Sequence, residues 1–238
     1  MKKRFSILLP LSAIFLSALL FSACKKNLDK VSHTPASGLM AFNLAPDQTS
    51  VGFALSGNIF TRSPLGFTNY TGSYLGVYTG TRNVTTYDFS TQATLADTTQ
   101  LFADSAYYSA FFVGTNGKYK NVVVKDNFDS LTSASGQAYV RYVNAIPDST
   151  LQPTVTVSSN GSNVFNTAAP FPSVSYFKGV TPGDISINVN DESTVNKSRT
   201  ISVEKGKIYT ILLVGQPGAT DSTKTVQIKF IQNGQVTP

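Results

Sequence analysis

Through the second half of the chain apolar and polar residues repeatedly alternate with a period of two. Ile185, Ile187 and Val189 alternate with Ser186, Asn188 and Asn190, and Val226, Ile228 and Phe230 with Gln227 and Lys229. That spacing puts one set of side chains on a buried face and the other in water, which predicts half-buried β-strands. Turn-forming pairs separate the runs: Asn160-Gly161, Pro182-Gly183-Asp184, Lys205-Gly206-Lys207 and Pro217-Gly218. Few stretches carry the 3.6-residue period of an amphipathic helix, and the abundant Thr, Ser, Val, Tyr and Phe are strand formers. The pattern predicts an all-β protein of short strands joined by tight turns.

The same landmarks occur twice in the same order. Asn43-Leu-Ala-Pro46-Asp47 is matched by Asn144-Ala-Ile-Pro147-Asp148, with Pro147 following Pro46 by 101 positions. Ser73-Tyr74 and Val77-Tyr-Thr-Gly80 are matched by Ser175-Tyr176 and Val180-Thr-Pro-Gly183. Tyr108-Ser-Ala-Phe-Phe-Val-Gly114 is matched by Tyr209-Thr-Ile-Leu-Leu-Val-Gly215, again 101 positions on. Ordered matches at nearly constant spacing indicate an internal duplication. A repeat of about a hundred residues suits one sandwich. Two tandem immunoglobulin-like β-sandwich domains of about seven strands each are therefore expected, over 38–128 and 137–238, with 129–136 as a polar linker. Asn-x-x-Pro-Asp should end the first strand of each, and the run before Gly114 or Gly215 should form a central strand.

A strand ending in Asn-x-x-Pro-Asp, a later Gly-rich turn and a closing strand ending in Val-Gly resemble domain of unknown function 4397. The resemblance spans nearly all of residues 38 to 234. It implies tandem β-sandwich modules of the bacterial envelope and no activity. The first repeat departs from the pattern by extra aromatics and a longer middle.

Before the repeats, Lys2, Lys3 and Arg4 precede an apolar run from Phe5 to Phe21 and the small residues Ser22 and Ala23. This order is that of a secretory signal, expected over 1–23. Phe21-Ser-Ala-Cys24 resembles the lipobox of bacterial lipoproteins, with the looseness three residues before the cysteine found in those of Bacteroidetes. Cys24 is the sole cysteine of the chain, so no disulfide can form within one molecule, and lipid attachment accounts for a lone thiol in an exported protein. The polar stretch 24–37 then reads as a flexible tether. It has lysines rather than aspartates after the cysteine and no acidic run, so the resemblance points to the outer membrane, periplasmic face.

Charge and chemistry narrow the function. Removing the three basic residues of the signal from the 19 in the chain leaves 16 against 13 acidic ones, and apart from Lys25-Lys26 the basic ones are scattered singly. That is no nucleic-acid footprint. His33 is the sole histidine and falls in the tether, so a Ser-His-Asp triad and zinc coordination both lack their residues. Asp47 and Asp148 would be the candidates for a carboxylate pair, but each follows a proline where Asp commonly caps a turn. Asp184, Asn188, Asn190 and Asp191 supply oxygen ligands without the order of a calcium loop. No catalytic, cofactor-binding or metal-binding residue is therefore assigned.

Aromatic residues suggest the one ligand surface. Phe60, Phe67, Tyr70, Tyr74 and Tyr78 crowd a Gly-, Thr- and Asn-rich stretch; Phe67, Tyr70, Tyr74 and Tyr78 are its candidate contacts for a glycan or peptide, with core packing as the alternative use. Thr98, Ser105, Ser130, Ser149 and Ser222 each follow an aspartate in triplets that resemble the O-glycosylation sequon of Bacteroidetes. Two roles stay open. One is a non-catalytic module binding a glycan, peptide or partner protein; the other is a structural spacer or assembly subunit of an outer-membrane complex. Intact mass and membrane fractionation should show acyl chains on the wild type and none on Cys24→Ser, which should leave the membrane fraction; an unacylated wild type refutes the anchor.

Overall fold

The computed structural model describes residues 34–148, 150 and 152–236. Cys24, His33 and the predicted signal lie outside them, as does Ser149. Pro35–Pro238 forms one compact unit, and no helix among the described residues is long and apolar enough to cross a membrane. The first sandwich contains β1 (Ala36–Asn43), β2 (Val51–Leu55), β3 (Asn58–Ile59), β4 (Leu75–Tyr78), β5 (Gly80–Asp88), β6 (Thr94–Phe102), β7 (Tyr107–Thr115) and β8 (Lys118–Lys125). The second contains β9 (Ala138–Asn144), β10 (Thr154–Ser159), β11 (Ser162–Ala168), β12 (Ser173–Val174), β13 (Lys178–Val180), β14 (Gly183–Asn190), β15 (Asn196–Val203), β16 (Lys207–Val214) and β17 (Gln227–Gln235).

The fold is all-β, and the repeat is a repeat of topology. In the first sandwich the sheet β4-β1-β7-β8 faces the sheet β3-β2-β5-β6; in the second, β12-β9-β16-β17 faces β11-β10-β14-β15, with β13 also paired to β9. Pairing is antiparallel except between β1 and β7 and between β9 and β16. Register is preserved too: Leu39 lies opposite Tyr108, and Val140, 101 positions on, lies opposite Tyr209. The expected count of about seven strands is met once the two- and three-residue strands at the sheet edges are set aside.

Each strand predicted from alternation places its apolar set inward. Ile185, Ile187 and Val189 of β14 join Val155, Val157, Ile211 and Leu213 in the core of the second sandwich. Leu39, Phe53, Val84, Ala110 and Phe112 build the core of the first. The central strands behave differently, because both of their faces are covered. In β1 Leu39 and Ala41 point into the sandwich core while Met40 and Phe42 point the other way, into a third apolar cluster. That cluster joins Met40, Phe42 and Phe111 of the first sandwich to Val143, Leu212 and Ile231 of the second. The sheets β4-β1-β7-β8 and β12-β9-β16-β17 thus pack on one another, and the two sandwiches share a core.

One ion pair crosses this apolar layer. Arg141, in the middle of β9, is 2% exposed, and so is Asp126, just past β8. The guanidinium bonds the Asp126 carboxylate and donates to Ser109 Oγ (2.9 Å) and Thr210 Oγ1 (2.9 Å). Asp126 Oδ2 also accepts from Ser109 Oγ (2.7 Å) and Tyr74 Oη (2.6 Å). Tyr74 Oη in turn accepts from Asn233 Nδ2 (3.2 Å), and Thr210 donates to Asn233 Oδ1 (2.6 Å). Every member therefore has partners, and they come from both repeats. The Phe177 ring lies 4.5 Å from the guanidinium carbon. The segment joining the sandwiches is tied in as well: it forms 3-10 turns at Phe128–Ser130 and Ser133–Ser135, and the Phe128 ring packs 5.8 Å from Tyr74 and 5.7 Å from Phe177.

The motif residues have structural work at the sheet ends. Asn43, fully buried, donates through Nδ2 to the carbonyls of Gln48 (2.7 Å) and Leu65 (3.0 Å) and accepts from the Ala45 amide. Asn144 repeats this with Ala169 and Ile146. At Gly114 and Gly215 φ is +120° and +98°, and an added Cβ would stand 2.1 Å from the carbonyl oxygens of Lys118 and Thr225 respectively. Only glycine fits there. At the chain start, strand begins inside the stretch expected to be tether: Ala36 donates to Asp104 Oδ1 (2.9 Å), and Ser37 Oγ donates to the Ala103 carbonyl (2.5 Å).

Removing one partner of a buried pair strands the other's charge, so Arg141→Met is expected to lose about 3–5 kcal/mol. The double variant Arg141→Met with Asp126→Leu should recover most of it in urea unfolding; a single variant losing under about 1 kcal/mol would show that the pair does not hold the sandwiches together. Tyr74 gives a pH test. Burial first, and then the Asp126 charge, raise its hydroxyl well above the ordinary value of 10.0. The folded state therefore keeps the proton after the unfolded chain has lost it. This stability is full below about pH 10 and falls as pH rises beyond it. Tyr74→Phe should flatten the decline in unfolding free energy between about pH 10 and about pH 11.5; an unchanged slope would contradict the assignment.

Candidate functional site

The two carboxylates nominated by the sequence close turns and stand in different sandwiches. Asp47 Oδ2 accepts from the Asn116 amide (2.7 Å) and from Tyr119 Oη (2.7 Å), bridging the end of β1 to the β7–β8 turn. Burial, followed by this bond to Asp47, raises the Tyr119 hydroxyl. Asp148 Oδ1 accepts from the amide (2.8 Å) and hydroxyl (2.6 Å) of Thr150. The oxygen-rich residues of the second sandwich are spread along a strand: Asp184 lies at the start of β14, and Asn190 and Asp191 at its end. Burial would raise the Asp191 carboxyl, but the amides of Val195 and Ser193 outweigh it and hold the group below its ordinary range. No group of three His, Cys, Asp or Glu side chains that could hold a metal occurs among the described residues.

The four nominated aromatics separate into two uses. Phe67, Tyr70 and Tyr74 pack against the cluster between the sandwiches, where Tyr70 stacks on Phe42 with centroids 5.3 Å apart. Tyr74 is held by Asp126. Tyr78, at the end of the edge strand β4, is 69% exposed. Of the hydroxyls in the triplets that resemble sequons, Ser105, Ser130 and Ser222 are exposed and Thr98 is half-buried.

What remains open lies along one edge of the first sandwich. β4 and β3 are the edge strands of their sheets, and the segment 60–74 runs between them with bridges only at Leu65 and Tyr70. A cavity of about 450 Å³ opens there, lined by Phe60, Arg62, Leu65, Tyr70, Thr71 and Leu75 among others. On the other side of Phe60 a second cleft, about 380 Å³, is walled by Leu55, Ile59, Val77, Tyr78 and Arg82. The volumes are those of small ligand sites. From Gln48 to Tyr87 the only charged residues are Arg62 and Arg82, so this edge is apolar and cationic. The unpaired side of β4 can also offer main-chain groups to an added strand.

Sequence reasoning found Tyr70 and Tyr78 but not the arginines beside them or the Arg141–Asp126 pair. Arg141 did leave a signal. It is one charged residue in Ala138-Tyr-Val-Arg-Tyr-Val-Asn144, a run apolar at both parities, and such a strand is covered on both faces. A charge inside it needs a buried partner.

No curated protein sequence matches the chain. Among solved structures it is similar to a family 26 carbohydrate-binding module from Eubacterium rectale Amy13K in complex with maltoheptaose, at 12% identity over 82% of this chain and 96% of that one, with a TM-score of 0.26. It is also similar to a candidate cell adhesion protein from Bacteroides ovatus, at 8% identity over 86% and 98% of the two chains, with a TM-score of 0.27. Superpositions this loose bear on neither ligand nor role. The family described as Domain of unknown function (DUF4397) matches residues 37–151 and again 138–236, each match starting at or beside the first strand of a sandwich, and the chain accordingly belongs to that family in two tandem copies.

Proposed function

We propose that this protein is a lipid-anchored, non-catalytic module of the bacterial outer membrane, and that the open edge of its first sandwich binds an extended acidic peptide segment of an envelope partner. The observation that carries this reading is the groove lined by Phe60, Leu65, Tyr70 and Leu75, whose one charged wall residue is Arg62. Aliphatic and aromatic walls take alternate side chains of a strand, the free edge of β4 takes its main chain, and the guanidinium takes a carboxylate. The anchor rests on Cys24 and the residues before it.

The spacer reading has its own support in the shared core, which joins the two sandwiches in one compact unit. Fluorescence polarisation with labelled peptides separates the two. The purified full chain should bind a Val/Asp alternating peptide at least ten times more tightly than its Val/Lys counterpart, and Arg62→Glu should reverse the order. Equal or absent binding of both peptides would leave the spacer role, and preferential binding of an anionic polysaccharide would refute the peptide.

A further inference from the structure

Large apolar side chains that stay exposed are concentrated where the described chain begins. Of six such residues among the described ones, Ile59, Leu75, Tyr78, Leu101, Tyr107 and Tyr176, all but Tyr176 belong to the first sandwich, and three sit at the end where β1 starts. Tyr78 lies opposite Ala36, the first residue of β1. Leu101, 61% exposed, lies opposite Thr81 at the start of β5. Tyr107 lies opposite Gly38. Ile59, 71% exposed, borders the cleft that Tyr78 and Arg82 also line.

Arg82 and Lys125 are the basic side chains at this end, and exposed Asp104 is an acidic one. Arg82 is held in place by bonds from Nε and Nη2 to the carbonyls of Tyr78 and Thr79, both 3.2 Å. Exposed Lys125 ends β8 opposite Tyr108. Asp126, next to it, is paired with Arg141, and the Asp104 carboxylate accepts a hydrogen bond from the Ala36 amide.

Chain length adds the decisive constraint. Cys24 precedes Ala36 by 12 residues, which reach at most about 40 Å even when fully extended. A lipid on Cys24 would keep this end within that distance of the bilayer. Tethering of that kind gives a weak surface contact an effective concentration in the millimolar range. Tyrosine rings, scattered aliphatic side chains and guanidinium or ammonium groups are the side chains that settle at the headgroup level of anionic bilayers.

We propose that this end of the first sandwich is a membrane-contacting surface, with Tyr78, Leu101 and Ile59 seated among the headgroups and Arg82 and Lys125 on anionic lipid phosphates. The proposal rests on acylation of Cys24. It fixes the sandwich against the bilayer and leaves the Arg62 groove reachable along the side.

Acylation blocks the native thiol, so an introduced cysteine is the one that labels. Full-length acylated protein carrying Leu101→Cys, or Thr200→Cys on the second sandwich, is labelled with an environment-sensitive dye. It is then reconstituted into vesicles of phosphatidylethanolamine and phosphatidylglycerol bearing headgroup nitroxides. Quenching at 101 should exceed that at 200 several-fold, and Arg82→Gln should reduce the difference. Equal quenching on protein whose intact mass shows acyl chains would overturn the surface and leave the anchor standing. A mass without acyl chains would overturn the anchor and the surface with it. A sugar mapped to Ser105, which lies at this end, would hold the sandwich off the bilayer and also overturn the proposal.

Discussion

Two sheets that each bury both faces hold this protein together. In an ordinary sandwich one face of every sheet meets water, and alternation in the sequence follows from it. Here β1, β7, β9 and β16 lose their wet faces to one another: Met40, Phe42 and Phe111 meet Val143, Leu212 and Ile231. The area between the sandwiches thereby becomes core. Arg141 and Asp126 sit within that layer, and a charge pair in apolar surroundings tolerates little displacement, because any shift leaves a buried charge short of its partners. Hydrophobic contact alone would permit the sheets to slide; the bonds from Arg141 to Ser109 and from Asn233 to Tyr74 join one repeat to the other at defined positions.

The repeated motif belongs to this scaffold. Asn43 and Asn144 satisfy main-chain carbonyls where the chain leaves its first strand, and Gly114 and Gly215 let two backbones approach more closely than any side chain would permit. A motif composed of such residues marks a fold. Residues outside the motif carry the differences between the two copies, and the largest difference is the segment 60–74, where the first copy makes an apolar groove with arginine on its wall.

Function is therefore sought in what folding leaves unused. Most aromatic residues of the first sandwich are consumed between the sheets, as Tyr70 against Phe42 and Tyr74 against Asp126 show. The edge beside Phe60 and the end around Tyr78 and Leu101 are left. Both expose apolar side chains beside an arginine, Arg62 at the edge and Arg82 at the end where the described residues begin.

The sequence by itself determined the all-β class, the duplication with its 101-residue offset and the ends of the first strands. Alternation, turn residues and repeated motifs are local properties, and the sheets are assembled from them. It also carries a trace of the second covered face: Ala138 to Asn144 and Tyr108 to Val113 hold apolar residues at both parities, which a strand with one wet face does not. Only the tertiary structure decided that these excess faces meet each other, that Arg141 finds Asp126 across them, and that Tyr74 belongs to this network while Tyr78 faces water. Those outcomes depend on which surfaces come together at long range, and no spacing along the chain encodes which of several apolar faces will be covered by which other.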